Sequence, residues 1–121
     1  MLSVGVDIAE IARIARVLER WGERFTRRVY TPAEVAYCRG RIPELAARFA
    51  AKEAISKALG TGIVGVYWNE MEVLCDRRGK PGIKLYGNAL ARAQELGLKE
   101  WAVSLSHSAD TAIAFVVASG G

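Results

Sequence analysis

A chain of 121 residues, about half of them apolar, has room for one domain (residues 1–121) with a real core, yet a domain this small leaves much of its surface uncovered, so a functional site can require a second subunit. No apolar run reaches membrane-spanning length, Asp7 interrupts the first apolar run too early for a secretory signal, and Cys38 and Cys75 lack metal-ligand spacing and are expected as free thiols of a cytoplasmic protein. The net charge of +4 lies wholly between Ile11 and Tyr30, where six arginines face two glutamates and the rest of the chain is neutral, which makes a local basic patch and not a diffuse basic surface.

In chain order, Leu2 to Val6 reads as a strand that Asp7 ends. From Ile8 the spacing becomes helical. Ile11, Ile14, Leu18, Trp21 and Phe25 share one face, and Arg13, Arg16, Arg20, Arg24 and Arg27 fall within an arc of roughly 80° opposite it. Gly22 is a possible break. Thr31-Pro32-Ala33-Glu34 has the form of a capping box with proline in the first turn, opening a helix that ends near Gly40. Pro43 opens the longest helix, which runs to Leu59 and stops at Gly60 and Gly62. Val66 to Cys75 and Ile83 to Tyr86 read as strands around the turn Arg77-Arg78-Gly79-Lys80-Pro81. Asn88 to Leu96 reads as a short helix. Trp101 to His107 and Thr111 to Ala118 read as two strands. The fold class is α+β, with helices packed on a mainly antiparallel sheet.

Few residues have spacings that suggest chemistry. Asp7, at a strand-to-helix junction, reads either as a helix N-cap or as a metal ligand at the sheet edge. Glu53 and Lys57 lie one turn apart on the longest helix, with Lys52 and Arg48 nearby and Ala50, Ala51, Ala54 and Ala58 around them. The plain reading is a solvated ion pair worth a few tenths of a kcal/mol; the sharper one is that small neighbours let a bulky ligand come close. His107 is the only histidine, and at a strand end its ordinary role is a structural hydrogen bond. Ser106 and Ser108 are too near it in sequence for a nucleophilic triad. There is no glycine-rich phosphate loop before a helix and no zinc spacing.

Three segments together resemble the holo-[acyl-carrier-protein] synthase family of 4′-phosphopantetheinyl transferases. They are Gly5-Val6-Asp7-Ile8; Phe49-Ala50-Ala51-Lys52-Glu53-Ala54-Ile55-Ser56-Lys57-Ala58; and Ser104-Leu105-Ser106-His107-Ser108. Arg78-Gly79-Lys80-Pro81 resembles the family hairpin. The segments follow the family order and span nearly the whole chain. The resemblance implies Mg²⁺-dependent transfer of 4′-phosphopantetheine from coenzyme A to a serine of apo acyl carrier protein, releasing adenosine 3′,5′-bisphosphate, in the service of fatty acid biosynthesis. It implies a homotrimer with active sites between subunits. It carries Mg²⁺ binding onto Asp7 and Glu53, makes Lys57 a catalytic group on the phosphate side, and sets Arg48 and His107 near the coenzyme A nucleotide. It makes the first helix, with Arg13, Arg16, Arg20 and Arg24, the docking surface for the carrier protein. Larger two-lobed relatives carry a second acid two residues after the first; Ala9 stands there in this chain, which favours the small trimeric class.

Elementary chemistry is consistent with that reading. Mg²⁺ prefers six oxygens and is usually held by one or two carboxylates, substrate phosphates and waters. The residue taking the serine proton stays open between Glu53, a metal-bound water and no resident base. Two rival classes are a nucleic-acid-binding module that uses the arginines, disfavoured because no aromatic platform accompanies them, and a trimeric scaffold without chemistry, which leaves Asp7, Glu53 and Lys57 without a purpose.

Overall fold

The computed structural model describes residues 1–121. Five strands and five helices follow one another as β1 (Leu2–Glu10), α1 (Ile11–Trp21), α2 (Glu23–Val29), α3 (Pro32–Cys38), α4 (Ile42–Ala58), β2 (Met71–Cys75), β3 (Pro81–Leu85), α5 (Gly87–Leu96), β4 (Glu100–His107) and β5 (Thr111–Ser119), with a 3₁₀ turn at Trp68–Glu70. Strands β1, β5 and β4 form one antiparallel sheet with β5 in the centre, and β2 and β3 form a separate hairpin. The α+β reading holds, with the antiparallel pairing divided between two sheets.

One face of the three-stranded sheet is built from very small residues. Gly5 and Ala9 of β1 and Ala112, Ala114 and Ala118 of β5 point inward, joined by Val116. This shallow floor lets α4 lie directly on β1 and β5. The contact is so close at Gly5 that a Cβ there would fall 1.9 Å from the carbonyl oxygen of Ala54, so no other residue fits without moving the helix. Helix α4 is buried on most of its circumference, with Ala46, Ala47, Ala50, Ala51, Ala54 and Ala58 all in the core. The opposite sheet face is apolar yet uncovered: Leu2, Val4, Val6 and Ile8 of β1 and Ile113 and Phe115 of β5 all face solvent, with Leu2 74% and Ile8 61% exposed.

Strand β1 continues four residues beyond the expected end at Val6. Asp7 pairs with Ala114, Ala9 with Ala112 and Glu10 with Thr111. Asp7 is therefore a mid-strand residue, and the N-cap reading is corrected: α1 begins at Ile11, after Glu10, with no side-chain cap. Helical spacing was visible from Ile8, but β5 offers a full-length partner, and the alternation Asp7 in, Ile8 out, Ala9 in continues the pleat. Gly22 does break the first helix, at φ +52°, so Arg13, Arg16 and Arg20 lie on α1 while Arg24, Arg27 and Arg28 lie on α2. Trp21 also departs from the apolar stripe. Its ring is half exposed, with the guanidiniums of Arg20 and Arg24 at 5.1 and 5.9 Å from its centre. The capping box at α3 forms as read: Thr31 Oγ1 accepts from Glu34 N–H, and Glu34 Oε1 accepts from Thr31 N–H.

Candidate active site

The site forms where α4 crosses β1. Asp7 is on the inward face of β1, two residues from the Gly5 contact, and looks towards the last turns of α4. Lys57 reaches it directly: Nζ donates to Asp7 Oδ1 at 3.0 Å and to the carbonyl of Val6 at 3.0 Å. The Asp7 side chain is 25% exposed and that of Lys57 53%, so this is a partly wet pair and adds little to stability. Glu53, one turn before Lys57, completes the group. Partial burial pushes its carboxyl above the usual glutamate range, and the negative charge of Asp7 pushes it further, while Lys57 and Arg13 pull it back. Asp7, Glu53, Lys57 and Arg13 thus share one electrostatic neighbourhood, drawn from β1, α4 and α1. Arg13, assigned to carrier docking from the sequence, also borders the carboxylates.

Two carboxylates near enough to feel each other's charge, each partly open to solvent, suit a hard divalent cation that keeps waters and takes phosphate oxygens. No group of three histidine, cysteine or acidic side chains gathers in the chain, so these two carboxylates would leave most positions of such an ion to other oxygens, as a substrate-completed site does. The larger concavities lie elsewhere, such as those lined by Tyr30, Thr31 and Asn69 or by Leu90, Gln94 and Trp101. None of the larger concavities is lined by Asp7, Glu53 or Lys57.

Arg48 and His107 do not join it. The Arg48 side chain is wholly buried; Nε donates to the carbonyl of Val73, Nη1 to Glu44 and Nη2 to Cys75 Sγ, and the guanidinium lies 4.5 Å from the centre of the Tyr37 ring. It has no exposed atom with which to meet a nucleotide in this chain, because those bonds turn it towards β2. His107 ends β4, opposite Ala112 of β5, two strand spacings, about 10 Å, from β1. It is exposed, and its one polar neighbour is the Ser108 carbonyl at 3.4 Å. That contact is a local one, in the turn that joins β4 to β5.

The structure also adds residues that sequence patterns missed. Lys52 is fully buried. Its Nζ donates to Glu34 Oε1 at 2.7 Å and to the carbonyls of Trp68 and Met71. Glu34 Oε2 accepts from Val73 N–H, and Thr31 Oγ1 donates to Glu72. Burial pulls the Lys52 ammonium below its usual pKa and Glu34 opposes that shift; the three acceptors match the three protons an ammonium carries. The capping box flagged Glu34, but nothing in the sequence pairs it with a lysine eighteen residues on.

A family model described as the 4′-phosphopantetheinyl transferase superfamily matches residues 3–116. The chain is 54% identical to a holo-[acyl-carrier-protein] synthase of Herpetosiphon aurantiacus, over 99% of this chain and 100% of that one, and 52% identical to one of Dehalococcoides mccartyi, over 98% of each. Among solved structures, the holo-[acyl-carrier-protein] synthase of Helicobacter pylori in complex with coenzyme A superposes with a TM-score of 0.88 at 32% identity, covering 96% of this chain and 99% of that one. The Neisseria meningitidis synthase gives 0.86 at 39% identity, covering 97% of each.

Proposed function

The chain belongs to the 4′-phosphopantetheinyl transferase superfamily, and from that membership we propose that it transfers the 4′-phosphopantetheine group of coenzyme A to a serine of an apo acyl carrier protein, as a holo-[acyl-carrier-protein] synthase. The observation that carries this reading is the group Asp7, Glu53 and Lys57, formed where α4 lies on β1. Two carboxylates beside an ammonium suit a pyrophosphate held on a hard cation.

Asp7 and Glu53 would hold Mg²⁺, with waters and pyrophosphate oxygens as its other ligands. When bound, that ion neutralises charge on the pyrophosphate. The carrier serine hydroxyl attacks the phosphorus that bears pantetheine and gives up its proton to Glu53 or to water, the bond from that phosphorus to the bridging oxygen breaks, and adenosine 3′,5′-bisphosphate leaves. Lys57, on the same face of α4 as Glu53, neutralises or protonates the leaving phosphate oxygen. The exposed arginines of α1 and α2 (Arg13, Arg16, Arg20 and Arg24) receive the acidic carrier protein.

A homotrimer with sites between subunits belongs to the same proposal. Its support is the uncovered apolar face of β1 and β5, which further copies of the chain would bury, together with a catalytic group that lies outside the larger concavities of one chain. His107 serves the nucleotide end of coenzyme A from its exposed position at the end of β4. Arg48 serves that end indirectly, by holding β2 against α4. The proposed setting is the cytoplasm and fatty acid biosynthesis.

The test is incubation of the pure protein with coenzyme A, Mg²⁺ and apo acyl carrier protein, read by intact mass. The carrier should gain one phosphopantetheine, and a chelator should stop the gain. An unmodified carrier across several apo acyl carrier proteins would overturn the reading.

A further inference from the structure

Helix α4 must present Glu53 to Asp7, and its apolar packing, in which Leu45 and Ile55 are buried beside a long run of alanine, shares the setting of its rotation with polar contacts. Much of its buried surface is alanine, lying on a sheet face made mostly of glycine and alanine. Such a contact is smooth: it fixes how near the helix lies better than how far it turns. A helix places residues four apart in rows along its surface. One row of α4, Ala46, Ala50, Ala54 and Ala58, is wholly buried, and its Ala54 carbonyl is the atom that Gly5 admits. The next carries Glu53 and Lys57. The third carries Arg48, Lys52 and Ser56, all buried.

That third row holds the directional bonds. Lys52 ties α4 to three separate elements at once: α3 through Glu34, the 3₁₀ turn through the Trp68 carbonyl, and β2 through the Met71 carbonyl. Glu34 is itself held by Val73 N–H of β2 and Thr31 N–H. Every buried polar side-chain atom has a partner. Lys52 and Glu53 are neighbours about 100° apart around the helix, so the angle at which Lys52 is anchored is the angle at which Glu53 is offered.

We infer that Lys52, with Glu34 as its counter-ion, is a positioning residue that sets the rotation of α4 and thereby the distance between the Glu53 and Asp7 carboxylates. The inference rests on the proposed metal role of those carboxylates. A buried ion pair is a poor device for stability, since an apolar pair of similar volume often does as well; its value here is direction.

The experiment compares the wild type with Lys52→Met and with Lys52→Met/Glu34→Gln, which removes both charges and leaves no orphaned one. A control, Leu59→Ala, lowers stability without touching the network. For each, urea unfolding gives stability, Mn²⁺ titration with coenzyme A present gives metal affinity, and steady-state rates give kcat and the KM of the carrier protein. In the double variant, metal affinity and kcat should each fall about 10-fold or more, the range seen when groups behind a metal ligand are removed, while the KM of the carrier stays within about twofold, since the docking surface is on α1 and α2. Leu59→Ala should show no such split. The inference is overturned if the double variant binds Mn²⁺ and turns over like the wild type, if its losses match those of Leu59→Ala at equal stability, or if it does not fold, which would make the pair a stability element. A wild type that binds Mn²⁺ but transfers nothing defeats the transferase reading alone, because the metal titration still tests Lys52.

Discussion

Asp7 and Lys57 form a hydrogen-bonded pair on the surface, and a bond of that exposure contributes little to folding. Removing either group should therefore leave the protein folded and show in chemistry. Asp7→Ala and Glu53→Ala should each lose most transfer activity, with metal-binding loss visible in Mn²⁺ titration; near-normal rates at limiting Mg²⁺ would show that these carboxylates are not the ligands. Lys57→Ala should lower kcat more than it raises the KM for coenzyme A, and an unchanged kcat would return Lys57 to a surface ion pair. Gly5 behaves oppositely. Its Cβ would overlap the Ala54 carbonyl, an atom of the helix backbone that cannot step aside. Gly5→Ala should cost about 3 kcal/mol or more, the upper end for an overpacked core, and should reduce activity by lifting α4 away from Asp7. Equal unfolding midpoints for Gly5→Ala and wild type would contradict the close approach.

The basic patch is a property of two helices. Gly22 divides α1 from α2, and the arginines on both sides are exposed. Only Arg27 among them has an acidic partner, Glu23 at 3.0 Å. Like charges three and four residues apart on a helix repel by a few tenths of a kcal/mol each, an expense that an acidic partner offsets. Trp21 between Arg20 and Arg24 corrects the expectation that no aromatic ring accompanies the arginines; the ring is engaged by guanidiniums, which leaves it less available for stacking on a base. Arg13→Glu and Arg20→Glu should raise the KM for the carrier protein, and the wild-type value should climb with ionic strength as the Debye length falls below about 10 Å. Arg20→Glu should spare the KM for coenzyme A. Arg13→Glu has a second reach, because Arg13 offsets the charge of Glu53. If Arg20→Glu weakens coenzyme A and spares the carrier, the patch is a nucleotide site. Tight, salt-sensitive retention of random DNA would instead favour a nucleic-acid role.

At the scale of the molecule, the sheet is finished on one face only. Helix α4 covers one side, and the other exposes a continuous band of Val4, Val6, Ile8, Ile113 and Phe115. Apolar patches of this kind mark association surfaces. Sedimentation equilibrium should give a trimer at micromolar concentration, and Ile8→Lys with Phe115→Glu should dissociate it and abolish transfer together. A fully active monomer would sink the inter-subunit site.

Much of this protein was legible from residue order because it depends on local rules. The capping box at Thr31 and Glu34, the helical spacing of α4, the hairpin turn at Gly79 and the pairing of β4 with β5 all follow from spacing and turn chemistry, which act over a few residues. The segments around Asp7, Glu53 and His107 were enough to suggest the family. What residue order left open depends on partners far along the chain. Asp7 looked like a helix cap until β5, more than a hundred residues later, extended β1 past it. The family resemblance set Arg48 near a nucleotide, but only the fold shows β2 enclosing it, and nothing in residue order pairs Lys52 with Glu34, Trp68 and Met71. A side chain's environment is set by what packs on it, and a buried cation differs from a solvated one only through neighbours that folding brings in from elsewhere in the chain.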